Sequence, residues 1–167
     1  MSGSEQDRVS GASPLILIDP STLTALDSWR ERYFGDLSNR INSADTATPD
    51  HDGIPNLVKF GLIITPGSSG VSSLPTARTR SYAEGNRLAL IFTCDPARNG
   101  ITLIVQGSDS LAGPWTVLAT SANGAAFTGV SYVSEIDADG GLKTVEIRDT
   151  INRIDAPHRF MRIAVTH

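Results

Sequence analysis

Cys94 is the single cysteine in 167 residues, so no disulfide forms within the chain. Its setting, "LALIFTCDP", is an apolar run, which marks the thiol as a buried packing group rather than a nucleophile. Histidine is almost as scarce: His51, His158 and His167 are the three, and neither H-x-x-x-H nor H-E-x-x-H spacing occurs. That removes the common zinc hydrolases. No G-x-S-x-G turn is present to carry a nucleophilic serine. Basic residues number 14 against 18 acidic ones, for a net charge of -4, and there is no lysine-arginine run. A nucleic-acid binder needs a basic face, so that class is set aside. No apolar stretch approaches the roughly 18 residues that would span a membrane. "LILI", after the polar start "MSGSEQDRVSGASP", is too short for the core of a secretory signal. The chain therefore reads as a protein that stays inside, or as a piece whose export signal lies elsewhere.

What is present is a 40% hydrophobic fraction, enough for a core, together with 15 glycines and 9 prolines that promise many turns. Only 19% of residues are charged, and the hydroxyl-rich remainder suits a secreted or surface protein.

Four regions follow from the texture. Residues 1–20 read as a flexible tail or extended arm, with "PLILIDP" as its strand-like part. Residues 21–64 read as two short helices around a polar loop. In the first, Ser21 or Thr22 is a candidate cap, Leu23, Leu26, Trp29, Arg30 and Phe34 recur at helical spacing, and Gly35 stops it. The second, "IPNLVKFGLI", places Pro55 in its first turn, where the missing N–H costs nothing, and turns Leu57, Phe60 and Ile64 towards the first helix. Residues 65–77, rich in Gly, Ser and Pro, read as a linker. Residues 78–167 switch to a period of two. Candidate strands are 87–93, 101–107, 115–120, 126–136, 142–149 and 159–166; in the last, Met161, Ile163 and Val165 face one way and Phe160 and Arg162 the other. Six or seven short strands between tight turns, without βα alternation, predict an antiparallel β-sandwich preceded by two short helices.

The stretch "TPDHDGIPNLVKF", residues 48–60, is the one candidate site. In an EF-hand-type loop of about twelve positions, side-chain oxygens at 1, 3, 5 and 9, a carbonyl at 7 and an acid at 12 surround calcium, and a glycine at 6 makes the turn. With Gly53 as the turn glycine, Asp50, Asp52 and Asn56 supply side chains and Ile54 the carbonyl. Thr48 takes the first position and Lys59 the last, where acids belong; Asp45 lies three residues ahead of Thr48, and a bent loop would bring it in. Pro55 lacks the N–H that paired loops share, so this loop stands alone. The alternative is helix capping: Asp50 and Asp52 precede a helix, where carboxylates accept orphan N–H groups.

"WRERYFG…NSADTATPDHDGIPNLVKFGL" resembles a segment near the C-termini of large exported proteins of Verrucomicrobia and Planctomycetes. There a tryptophan helix ends in a YFG-like tripeptide, and an acidic loop of dockerin or thrombospondin type 3 character follows. "ITLIVQGSDSLAGPWTVLAT" and "HRFMRIAVT" are similar to strands of the fibronectin-like β domain that completes the pattern. The resemblance implies calcium ligands at Asp50, Asp52, Ile54 and Asn56; because Thr48 and Lys59 depart from its acids, the expectation is a loop that is either weak, at or beyond the roughly 10⁻⁴–10⁻³ M range of extracellular modules, or vestigial, with a fold that persists without metal. It also implies an extracellular or cell-surface location.

Other constellations read as structural. Glu135, Asp137 and Asp139 fall in a hairpin tip, and Trp115 starts a strand. The expectation is a non-catalytic structural or docking module of an exported or surface protein, with a protein partner or its own neighbouring subunits. Two alternatives stand beside it. A self-assembling filament or shell subunit would add the N-terminal arm as a strand on its neighbour. A carbohydrate-binding module would expose Trp115, Tyr132 or Tyr82 on one face.

Overall fold

The computed structural model describes residues 22–68, 70–156 and 158–167. The expected arm, 1–20, and Ser21, one of the two candidate caps, lie outside the described residues.

Helix α1 spans Ala25–Phe34. Thr24, rather than Thr22, caps it: its hydroxyl accepts the Asp27 N–H at 3.0 Å, and the Asp27 carboxylate accepts the Thr24 N–H at 3.3 Å. This reciprocal box satisfies two orphan donors at once, which fixes the later start. Gly35, at φ 62, ends the helix and donates to the Glu31 carbonyl. Helix α2 is short, Asn56–Gly61, with Pro55 just before it in an extended conformation. A six-residue helix has no stability of its own. It is held by packing, with the Phe60 ring 5.8 Å from that of Trp29, which also meets Tyr33 and Phe34 at 5.5 Å.

Eight strands follow among the described residues: β1 (Thr76–Tyr82), β2 (Gly85–Cys94), β3 (Thr102–Ser108), β4 (Thr116–Ala122), β5 (Thr128–Gly129), β6 (Val133–Asp137), β7 (Lys143–Asn152) and β8 (Phe160–Thr166). They form two four-stranded antiparallel sheets, in the orders β1-β2-β7-β6 and β5-β4-β3-β8. The protein is thus mainly β, sandwich-like, with two short helices. Residues 126–136 do not make one strand: β5 and β6 belong to different sheets, and the chain crosses between them. β1 begins at Thr76, inside the stretch that reads as a linker; its exposed "TARTRSY" has no apolar alternation to announce it.

Register sets the two faces. Leu90 and Phe92 pair with Ile147 and Val145, and all four point inward. Opposite them, Leu103 and Val105 of β3 pair with Val165 and Ile163 of β8. A register shift beside Val105 in the β3–β4 ladder lets consecutive residues Leu118 and Ala119 both be buried, as a bulge does. Leu26, Trp29, Ile54, Phe60, Leu62 and Ile64 join the same cluster, so helices and sheets share one core. Gly61 permits the contact: a Cβ there would sit 3.1 Å from Leu103 and Val165 side chains. Arg98, from the β2–β3 turn, places its guanidinium 5.1 Å over the Phe60 ring and donates to the Phe60 carbonyl. No helix among the described residues is long and apolar enough to cross a membrane.

Candidate functional site

The loop before α2 is shaped by backbone turns around Asp52. His51 and Gly53 both adopt left-handed conformations, at φ 56 and 74, and Asp52 Oδ1 accepts the Ile54 N–H at 2.9 Å. Such an Asx turn suits an aspartate at a tight bend. His51 points to solvent, and Ile54 is buried in the core.

The two central carboxylates meet a cation supplied by the chain itself. Lys59 has no exposed side-chain surface, and its Nζ hydrogen-bonds to Asp50 Oδ2 and lies 2.8 Å from Asp52 Oδ2. Asp50 Oδ2 also accepts the Gly67 N–H at 2.9 Å, tying the 65–68 turn to the loop. Hydrogen bonding to Lys59 holds both carboxyls below the ordinary aspartate range, helped by the backbone N–H groups of Gly67 and Ile54. Burial alone would lower the Lys59 pKa, but its bonds to Asp50 and Asp52 outweigh that, and the pKa is raised.

The remaining candidate ligands are placed elsewhere. Asn56 turns its amide away, donating to the carbonyls of Asn42 (2.7 Å) and Ala44 (2.9 Å), and leaves its buried Oδ1 without a partner. Asp45 belongs to another cluster. It accepts from Arg30, from Asn39 Nδ2 at 3.1 Å, and lies 3.1 Å from His167 Nδ1. The Thr48 carbonyl accepts the His51 N–H at 3.0 Å. Among the described residues no group of three or more His, Cys, Asp or Glu converges as a metal site would require. The residues present do not fit a calcium ion: Lys59 uses the two carboxylates that would neutralise it, and a second cation there would meet an ammonium. The sequence flagged Lys59 only as the wrong residue for the last ligand position. Its buried placement follows from its position on α2, where Asn56, Phe60 and Gly61 are buried with it.

A second buried ion pair lies at the other end of the sandwich. Arg159 contacts Asp149 through Nε at 2.5 Å and Nη2 at 2.8 Å, and Asp109 through Nη1 at 3.2 Å; the Asp149 side chain has no solvent exposure. Sequence reading passed over it. The available signal was parity, since Asp149 continues the inward series Val145, Ile147 and a carboxylate there demands a partner.

Cys94 lines a cavity of about 190 Å³ with Ile101, Leu103, Phe127, Glu135 and Lys143. Burial pushes its thiol up to about 11, which disfavours the thiolate. His158 precedes β8 at the opposite end. Glu135 accepts the Phe127 N–H, and Asp137 pairs with Lys143. Tyr82 and Tyr132 share the outer face of the first sheet with the Arg148 guanidinium between them, 3.3 and 4.3 Å from their ring centres. Trp115 lies on the second sheet, beneath Arg162 at 4.1 Å. These aromatics form two separate stacks with arginines rather than one platform. Comparison of the chain with family models, with curated proteins and with solved structures finds no match.

Proposed function

We propose that this chain is a non-catalytic structural or docking module of an exported or cell-surface protein, and that its calcium-type loop is held together by Lys59 in place of a metal ion. The observation that carries this reading is the buried Lys59 ammonium between Asp50 and Asp52. The loop lies between the two helices and packs through Ile54 into the shared core, so closing it fixes the helical unit against the sheets. The order β1-β2-β7-β6 against β5-β4-β3-β8 supports an immunoglobulin-type arrangement, equivalent to strands A-B-E-D and C″-C′-C-F. The protonated Cys94 thiol and the structural bonds of Glu135 support a non-catalytic role.

Calorimetric titration with calcium to millimolar concentration tests the reading. The natural chain is expected to give no binding heat. The Thr48→Asp/Lys59→Glu variant restores the two missing acids and is expected to bind calcium in the range of extracellular modules, roughly 10⁻⁴–10⁻³ M. Calcium heat from the natural chain that disappears in Asp50→Ala overturns the proposal.

A further inference from the structure

We propose that the outer face of the first sheet, around the Tyr82–Arg148–Tyr132 stack, binds a carboxylated oligosaccharide, with one uronate unit in the cleft beside Tyr132. This rests on the docking-module reading above and names its partner.

That face gathers positive charge. Arg78, Arg80 and Tyr82 alternate onto it from β1. Register places Arg78 and Arg148 on either side of Ala89 and sets Arg80 directly opposite Arg87. Like charges facing each other across a ladder cost stability. Glu146 answers one of them, accepting from Arg80 Nη2 at 2.7 Å. Arg87 donates to the Asp149 and Thr150 carbonyls, which leaves its charge uncancelled, and Arg78 has no ion pair among the described residues. A chain of net charge -4 thus carries a local positive field here, which attracts an anion.

The Arg148 guanidinium is fixed in advance. It lies between the Tyr82 and Tyr132 rings, and Tyr82 is held in turn by its hydroxyl, which donates to Glu146 Oε1 at 3.0 Å. Ala89, the ladder partner of Arg148, has no exposure. A group ordered before its ligand arrives loses little entropy on binding. The stack uses the faces of the guanidinium but not its edge. Nε has no hydrogen-bond partner, and Nη1 is 3.7 Å from the nearest Glu84 oxygen. The planar edge of an arginine matches a carboxylate.

Beside the stack is a cleft of about 200 Å³, lined by Glu84, Arg87, Val130, Ser131, Tyr132 and Arg148. A cavity of about 150 Å³ holds a benzene ring, so this cleft takes one six-membered sugar ring. Val130 and Tyr132 are 77% and 54% exposed, and they offer apolar surface to the C–H face of a pyranose. Arg87 and Arg148 meet its carboxylate. Glu84 accepts its hydroxyls. Ser131 Oγ, buried without a partner, adds a further polar group. An acidic peptide would use the arginines alone, and Glu84 would repel it. A uronate uses the arginines, the ring surface and the acceptor together.

The test titrates the full chain by calorimetry with the tetramers of galacturonate and mannuronate, and in parallel with neutral cellotetraose and with tetra-glutamate. A uronate tetramer is expected to bind at up to millimolar concentration, more weakly as salt rises, while the other two are not. Tyr132→Ala and Arg87→Gln are each expected to weaken that binding about tenfold, the loss of one stacking or charge-assisted contact. Melting curves check that both variants are folded. Absence of binding by both uronate tetramers at millimolar concentration overturns the proposal. Equal binding of cellotetraose or tetra-glutamate does so too, as does a folded Tyr132→Ala that binds like the natural chain. A shortened uronate recovered after titration would support the site and strike only the non-catalytic reading. The calcium titration of the Lys59 loop is read separately.

Discussion

Lys59 Nζ lies 2.8 Å from Asp52 Oδ2 while the lysine side chain has no contact with solvent. A lysine is almost never fully buried unless paired, and here two carboxylates, Asp50 and Asp52, share the pairing. The arrangement has the charge logic of a calcium loop with the cation built into the chain. It ties residues 50–53 to α2 through charges that the chain itself supplies.

Removing the ammonium leaves two neighbouring carboxylates uncompensated. Breaking a buried ion pair costs about 3–5 kcal/mol, and the partial exposure of Asp50 (21%) and Asp52 (16%) puts Lys59→Met at the low end of that range. Urea midpoints of the natural chain and Lys59→Met measure this. The triple variant Asp50→Asn/Asp52→Asn/Lys59→Met is expected to recover part of the loss, since no charge then remains unpaired.

The same cluster contributes to the pH dependence at both extremes. Asp50 and Asp52 have folded pKa values below 3.8, so their contribution is present above the unfolded value and is lost as pH falls through the folded one. Lys59 has a folded pKa above 10.5, so its contribution is complete below the unfolded value and disappears as pH rises through the folded one. Melting temperature is therefore expected to drop below about pH 4 and again above about pH 10, near the unperturbed pKa values. In Lys59→Met melts the alkaline loss specific to this pair is expected to be gone and the acid loss reduced.

Arg159 neutralises an Asp149 side chain that has no exposure at all. Arg159→Met leaves that carboxylate buried with the Ile151 N–H, 3.3 Å away, as a remaining donor. The expected loss is about 3–5 kcal/mol, larger than for Lys59→Met because solvent cannot reach Asp149. Denaturant titration measures it, and Asp149→Asn in the Arg159→Met background is expected to restore stability.

The strands were legible wherever one face meets the core. Leu88, Leu90 and Phe92, or Met161, Ile163 and Val165, alternate because one side of each strand is buried. β1 was not, since both its faces are exposed and its position comes from hydrogen bonding to β2. The break between β5 and β6 was not legible either. Both carry the same polar-apolar texture, and only the packed sheets decide that Val133 pairs with Ile147 while Thr128 pairs with Thr120. The loop was recognised from Asp50, Asp52, Gly53 and Asn56, yet its chemistry depended on where three side chains turn, which spacing does not give.

The sequence by itself determined the class of this protein: mainly β with two short helices, a lone buried thiol and an aspartate-glycine turn before α2. Those features are local, set by alternation, capping and the left-handed conformation that Gly53 accepts. Tertiary structure alone decided that Lys59 enters the loop, that Asn56 turns to the Asn42 and Ala44 carbonyls, and that Arg159 closes over Asp149. In each case burial removes water as a partner, so a charged or amide group takes whichever complementary group the fold brings within reach.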